Sequence, residues 1–563
     1  MGRDNMNAQL QATIGGASHL MRPPQTVMRL ARMGSAHPTR LSFLRVLLRR
    51  MVTDKWRFDR SVWQIDGRGV GRAVYRAIGP HRTYSLVAFA HDLPDEMRSD
   101  RVIATAWDAT FALFDGTPSE ADLQRLAANV PLQEAGRIGS SELSLSRANR
   151  SVRLFNHVVD RLAEGRQPDQ AEIETVGYLM RTTAVYGSGK FGAAGRAKIR
   201  NRPEARGPFQ IEMLSVWLTR AFTVDLVEHL AVAKGGANAV RLAPKLRSMF
   251  GVGNSTGLGM APFLIRHPTL LNNWMAAREA ALARVRGLAT AEPAATKRFR
   301  GAVAEARENC RTWLSVHPVQ ERKLAEMAAD IGAMEERLND WPGSISRPWD
   351  ALWLWAEDAL SVEGQELLLA LMLEPHGALI DDLADGMAAD EEAVFHIDGS
   401  ATLDQIRRFL ADHYDWAMSV DYEDEAASAR FWYVSEEKLE PRLGQRYEEP
   451  GADRELPLDI GRLAKAMAMD AAAWTGDDSL AAFLSVHPEH RLMARRLQVA
   501  HTHPYAEIRD NVIASDLLPI DLLRCKLAFF GATHFDPRSD RWVRISLFQN
   551  APYPDELMEA LQG

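Results

Sequence analysis

The stretch RAVYRAIGPHRTYSLVAFA, residues 72–90, decides the fold. Both halves are rich in Val, Ile, Tyr, Phe and Leu, side chains suited to a pleated and largely buried surface. Gly79-Pro80 between them is turn chemistry that interrupts either kind of regular structure. The two halves therefore read as neighbouring strands. Working outward, residues 61–65 and 102–114 have the same makeup, so an antiparallel meander is expected across 61–114. Gly67-Arg68-Gly69-Val70-Gly71 reads as one of its hairpin turns. It lacks the G-x-G-x-x-G spacing and the following helix of a dinucleotide fingerprint.

Helical periodicity flanks this sheet. Residues 27–52 suggest two short helices broken near Gly34 and Pro38. Thr117-Pro118-Ser119-Glu120 is expected to open a helix with Thr117 as the cap and Glu120 reaching back to it. Helical patterns then run through 141–165, 170–181, 209–234, 262–285 and 296–338, the last interrupted at Pro318. Thr402-Leu403-Asp404-Gln405 is a second capping box, whereas 430–434 and 542–548 alternate as strands do. No internal repeat stands out. The expected class is α+β, predominantly helical. Five parts are expected: a loose tail over 1–20, a basic α+β unit with the meander over 21–135, a helical body over 136–290, a long helical segment over 291–345, and an acidic α+β unit over 346–563.

Composition bounds what such a chain does. With 563 residues, 46% hydrophobic and 25% charged, it can bury large cores. The strongest apolar run, Leu367 to Leu373, is only about two helical turns, far short of a bilayer span. Neither a cleavable leader pattern in the first twenty residues nor a disulfide framework is expected, since Cys310 and Cys525 are the only cysteines. A cytoplasmic protein without a membrane partner is the expectation. Ten of the 67 basic residues are Lys. Arginine abundance is therefore general, and nucleic acid is not an expected partner despite Trp56, Phe58 and Trp63 among the arginines.

The net charge of −7 conceals a separation of sign. Residues 22–82 hold thirteen Arg and one Lys against three Asp, a local +11, and residues 357–425 hold nineteen acids against Arg407 and Arg408, a local −17. Opposite charges on one chain attract, so these regions are expected to face each other within a protomer or across a homo-oligomer interface.

Two glycine-rich stretches suit an anion. In Tyr186-Gly187-Ser188-Gly189-Lys190, glycines free backbone N–H groups to converge and Lys190 adds charge, although the spacing is not that of a Walker loop. Asn254-Ser255-Thr256-Gly257 combines polar side chains with glycine ahead of a helix. The sequence thus points to an enzyme, a lyase or hydrolase, acting on a small carboxylate- or phosphate-bearing molecule. Gly187, Ser188, Gly189, Lys190, Arg206, Asn254, Thr256 and Gly257 would bind the substrate, and Tyr186, Ser255 or His267 would move the proton. A non-catalytic scaffold or ligand-sensing regulator is the alternative. No cofactor is expected. His376, Asp381, Asp385 and His396 form an alternative metal set without recognised ligand spacing.

Overall fold

The structure, a computed structural model, describes residues 19–94, 97, 106–130, 139–186, 199, 201–254, 267–315, 318–343, 345–388, 397–422, 432–435, 438–441, 452–455, 460–509, 524–532, 535–536 and 544–557. The fold is α+β and predominantly helical. The chain divides into two compact units that do not follow chain order. One comprises Met1–Leu41, Leu258–Phe529 and Asp536–Val543; the other comprises Ser42–Gly257, Phe530–Phe535 and Arg544–Gly563.

In the second unit the meander forms as expected. Strands β1 (Arg57–Ile65), β2 (Gly71–Ile78), β3 (Thr83–Ala90) and β4 (Ala109–Asp115) pair antiparallel in succession, in a register that sets Gly71 opposite Ala90 and Tyr84 opposite Asp115. The β1–β2 turn is closed by Asp66, whose carboxylate accepts from the backbone N–H groups of Arg68 and Val70. Gly69 occupies the left-handed position of that turn at φ +83°. The sheet continues through β5 (Glu142–Arg150), β6 (Tyr178–Tyr186) and β7 (Gly251–Asn254) to the strand Arg544–Leu547, with Phe535–Asp536 at its margin. β6 and β7 run parallel, and Arg544–Leu547 runs antiparallel to β7.

Two of these strands replace expected helix. Within 141–165, residues Glu142–Arg150 form β5, and the helix begins only at Phe155. Within 170–181, the helix stops at Val176, where Gly177 takes the left-handed conformation, and the chain turns into β6. The physical reason is the environment: β5 is paired on both edges and covered on both faces. A local signal was present, since Leu143 and Leu145 alternate with Glu142, Ser144 and Ser146, and the buried serines place the polar positions on a covered face as well. The helix expected at Thr117 starts two residues later. Ser119 is its cap and forms a reciprocal box with Asp122.

Side chains on the two sheet faces pack into separate layers. Ala112 and Phe114 of β4 join Val87 and Phe89 of β3 under Leu123 and Leu126 of helix Glu120–Asn129. On the opposite face Phe111 meets Phe222 edge to face at 5.4 Å, from the long helix Gln210–Gly235, which crosses the sheet.

The first unit is built of helices, including Pro268–Arg286, Pro293–Thr312, Pro318–Leu338, Pro348–Ala359 and Val362–Leu373. A separate hydrophobic cluster unites Leu403–Met418, Ile460–Ala472, Leu480–Val486 and Arg491–Thr502. Thr402 caps the first of these with Gln405 in the expected box. Residues Trp432–Ser435, Lys438–Pro441 and Ala452–Glu455 form a three-stranded sheet. Among the described residues no helix is long and apolar enough to cross a membrane.

Part of the expected charge docking is present in this unit. Arg22 donates to both carboxylate oxygens of Glu279 at 2.7 and 2.8 Å and to Glu366 at 2.7 Å. Arg32 reaches Glu366 at 3.2 Å, and Arg40 forks onto Asp381 at 2.8 and 2.9 Å. Burial opposes the charge on Glu366, but the guanidinium groups of Arg22 and Arg278 outweigh it and hold the carboxyl at about 2.

This network generates a stability prediction. Removing one member of a buried ion set strands the others, so Arg22→Ala should cost about 3–5 kcal/mol, read from urea unfolding. Because the folded pKa of Glu366 is depressed from 4.5 to about 2, its contribution is complete above 4.5 and disappears as pH falls toward 2. Arg22→Ala should flatten the acid limb in that window; an unchanged limb would show that the network does not stabilise the unit.

Candidate functional site

The long helix Gln210–Gly235 is buried all round over 210–224, polar Glu212 and Arg220 included. Toward its C-terminal end that packing gives way to Asp225, Glu228 and His229, which share one helical face by their i, i+3 and i+4 spacing. Across from them lie the outer strands β1 and β2. Between helix and strands is a cleft of about 510 Å³, within the usual range for small-molecule sites. Phe58, Trp63, Leu218 and Ala221 form apolar wall, and four arginines, Arg60, Arg76, Arg241 and Arg247, stand among four acids, Asp59, Asp225, Glu228 and Asp555.

Each polar group is held by a partner from another element. Asp225 accepts from the Tyr75 hydroxyl at 2.6 Å and from Arg60 at 2.9 Å. Burial, and then the Asp225 charge, push the Tyr75 phenol well above its ordinary value, so it stays protonated and donating. Arg60 also lies over the Trp63 ring at 4.6 Å. The Trp63 indole donates to His229 Nδ1 at 3.4 Å, and His229 Nε2 lies 2.9 Å from the Asp66 carbonyl. An indole N–H can only donate and a carbonyl can only accept, so the hydrogen of His229 belongs on Nε2.

Glu228 differs from its neighbours. Its carboxylate accepts from the Leu242 N–H at 3.1 Å and has Arg241 at 3.9 Å, yet burial dominates and raises its pKa, with Asp225 adding to the rise. A carboxyl poised upward in a cleft is the usual physical signature of a proton donor. At the cleft's other margin Arg247 is forked by Asp555 at 2.7 and 3.0 Å and lies over Tyr553 at 4.1 Å.

Of the sequence-derived site residues, Tyr186, Arg206, Asn254 and His267 are described, and none of these four is among the described residues that line the cleft. Tyr186 is the last residue of β6 and Asn254 the last of β7; Thr182 pairs with Asn254, so these two strands leave the sheet from the same end. Gly187, Ser188, Gly189, Lys190, Ser255, Thr256 and Gly257 lie outside the described residues, as does His396. Arg206 is exposed after the short turn Pro203–Ala205, and His267 precedes the helix Pro268–Arg286. In the alternative metal set, Asp381 is engaged by Arg40, and His376 packs edge to face on Trp349 at 4.7 Å. Burial and then Arg298 lower His376 to about 4. Among the described residues His376, Asp381 and Asp385 do not converge on a common point.

Sequence reasoning passed over Asp225, Glu228 and His229. A signal was available, three polar residues at helical spacing past the buried part of the helix, but their partners Arg60, Trp63 and Tyr75 are far away in sequence. Comparison with protein-family models, with curated proteins and with solved structures finds no match to this chain.

The raised carboxyl of Glu228 has a measurable consequence. A folded pKa above the unfolded one means that the native state binds the extra proton, so stability falls as pH rises from the ordinary carboxylate value through the raised one. Glu228→Gln cannot ionise and should lack this slope. Urea midpoints of both proteins across pH 4 to 8 test this; parallel curves would remove Glu228 from consideration as a proton donor.

Proposed function

We propose that this chain is an enzyme acting on a small carboxylate- or phosphate-bearing molecule in the cleft of the long helix, by a lyase or hydrolase reaction. The observation that carries the reading is the placement of Glu228, its carboxyl raised by burial, 3.9 Å from Arg241, which is 89% exposed in a cleft whose other arginines are paired with acids. Arg60 and Arg241 neutralise the substrate's anionic group, and the apolar wall of Phe58, Trp63 and Leu218 takes its carbon skeleton. Glu228 donates a proton to the departing group. Asp225 is already engaged by Tyr75 and Arg60, so it positions Arg60 rather than reacting.

A second reading keeps the anion site at the glycine-rich stretches, with Lys190 and Asn254 as contacts. The parallel pairing of β6 and β7 favours it, because ligands of parallel strands commonly sit beyond their carboxyl ends. The non-catalytic alternative, a ligand sensor, predicts binding without turnover.

One experiment separates these readings. A thermal screen of phosphate esters and di- and tricarboxylates should find a compound that stabilises the protein, by about 2.7 kcal/mol at roughly a hundred times its dissociation constant. Under the cleft reading, Arg241→Ala abolishes that stabilisation and Lys190→Ala leaves it; the reverse pattern selects the glycine loops. Turnover of the stabilising compound should fall by about 10²–10⁴-fold in Glu228→Gln. Binding with no turnover in the unmodified protein would select the sensor.

A further inference from the structure

In the helical unit, the turn His487-Pro488-Glu489-His490 connects helix Leu480–Val486 to helix Arg491–Thr502, and Asp470 projects beside it from helix Ile460–Ala472. The connector itself is unremarkable in sequence: Leu-Ser-Val-His-Pro occurs at both 314–318 and 484–488, each time leading into a helix. Only the second copy is followed by Glu489 and His490. His490 Nε2 lies 2.7 Å from Asp470 Oδ2, His487 Nδ1 lies 3.3 Å from Glu489 Oε1, and His487 Nδ1 lies 3.9 Å from Asp470 Oδ2. One ligand-capable atom from each of the four residues falls within 4.8 Å of all the others.

From these distances we infer a binding site for one divalent transition-metal ion held by Asp470, His487, Glu489 and His490. Tetrahedral ligands at about 2.0–2.2 Å from zinc lie roughly 3.4 Å apart, so the four atoms need shift only modestly to close around an ion. Two imidazoles and two carboxylates form a donor set suited to zinc and its first-row neighbours.

The two rings are already oriented. Phe483 stacks on His487 at 4.8 Å and on His490 at 5.6 Å, so both imidazoles are fixed against one aromatic surface. His490 is the buried member of the set. Its side chain is 4% exposed, and the buried Nδ1 has no hydrogen-bond partner among the described residues. Its one hydrogen-bond partner there is Asp470, itself a member of the set. Access is open from the other side, where Asp470 is 43% and Glu489 60% exposed. Four protein ligands leave no open position, so the ion acts as a clamp between helix 460–472 and the turn rather than as a reaction centre. The glycine-loop and cleft readings are independent of this site.

The test uses the full chain, freed of bound metal by a chelator that is then removed. Titration with Zn²⁺ alone, followed by calorimetry and by thermal unfolding, should show one saturable ion per chain and a rise of a few degrees in the helical unit's midpoint at about a hundredfold excess over the dissociation constant. His487→Ala and Glu489→Gln change exposed or half-buried side chains and should each weaken binding by about tenfold or more. His501→Ala, on another element, should bind as the unmodified protein does. Absence of saturable binding in the unmodified chain overturns the proposal, as does unchanged binding in both His487→Ala and Glu489→Gln.

Discussion

Charge removed from water organises the helical unit. Glu279 and Glu366 are fully inaccessible, and Arg22 and Arg278 beside them are 3% exposed. Taking such groups out of water costs several kcal/mol each, and the cost is met only when geometry saturates both partners. Here Arg22 engages both carboxylates, Arg278 engages Glu279 at 3.0 Å, and Tyr505 holds the Arg22 carbonyl at 2.8 Å. Segments distant along the chain, 22–32, 278–279, 366 and 505, are thereby bound to one point. Helix Val362–Leu373 can be buried from Glu363 to Leu373 only because the charges it carries into the interior meet partners there; Glu363 likewise meets Arg524 at 3.0 Å.

The sheet unit solves a different problem. A sheet whose central strands are apolar on both faces must be covered twice, and helices do so from either side. The long helix Gln210–Gly235 is committed to this covering over residues 210–224. Arg220 within it is satisfied by the carbonyls of Phe250, Ala551 and Ser248 and lies against the Tyr553 ring at 3.7 Å. Within that stretch Trp217 already meets Phe58, and Phe222 meets Trp63 and Tyr75, on the outer strands β1 and β2; one turn further on the helix turns Asp225, Glu228 and His229 toward the same strands. The cleft lies where the helix changes from apolar to polar side chains against those strands.

The cleft and the metal-ligand cluster differ in how much of each is local. Three of the four proposed ligands lie within the four residues His487 to His490, so the turn itself sets their spacing, and only Asp470 comes from another helix. In the cleft, one helix face contributes three groups, but each group's state is set from elsewhere: Tyr75 and Arg60 define what Asp225 does, and Trp63 and Asp66 define which nitrogen of His229 carries hydrogen.

What the sequence alone determined is what depends on neighbours in the chain. The hairpin around Gly79-Pro80, the turn at Gly69, the capping box at Thr402 and the long helix through Val216 and Leu226 were legible because turn chemistry and helical periodicity act over a few residues. So was the attraction between the basic start of the chain and the acids near Glu366 and Asp381, since charge separation is a matter of composition. Strand β5 was legible too, in the alternation of Leu143 and Leu145 with Glu142, Ser144 and Ser146, but β6 was decided by tertiary structure alone. Residues 178–186 gain their strand pairing from partners on both edges, and their sequence lacks the alternation by which an isolated strand is recognised. Tertiary structure also decided the cleft and brought Asp470 to the turn His487–His490, because a carboxyl's surroundings come from residues distant in the chain and close only after folding.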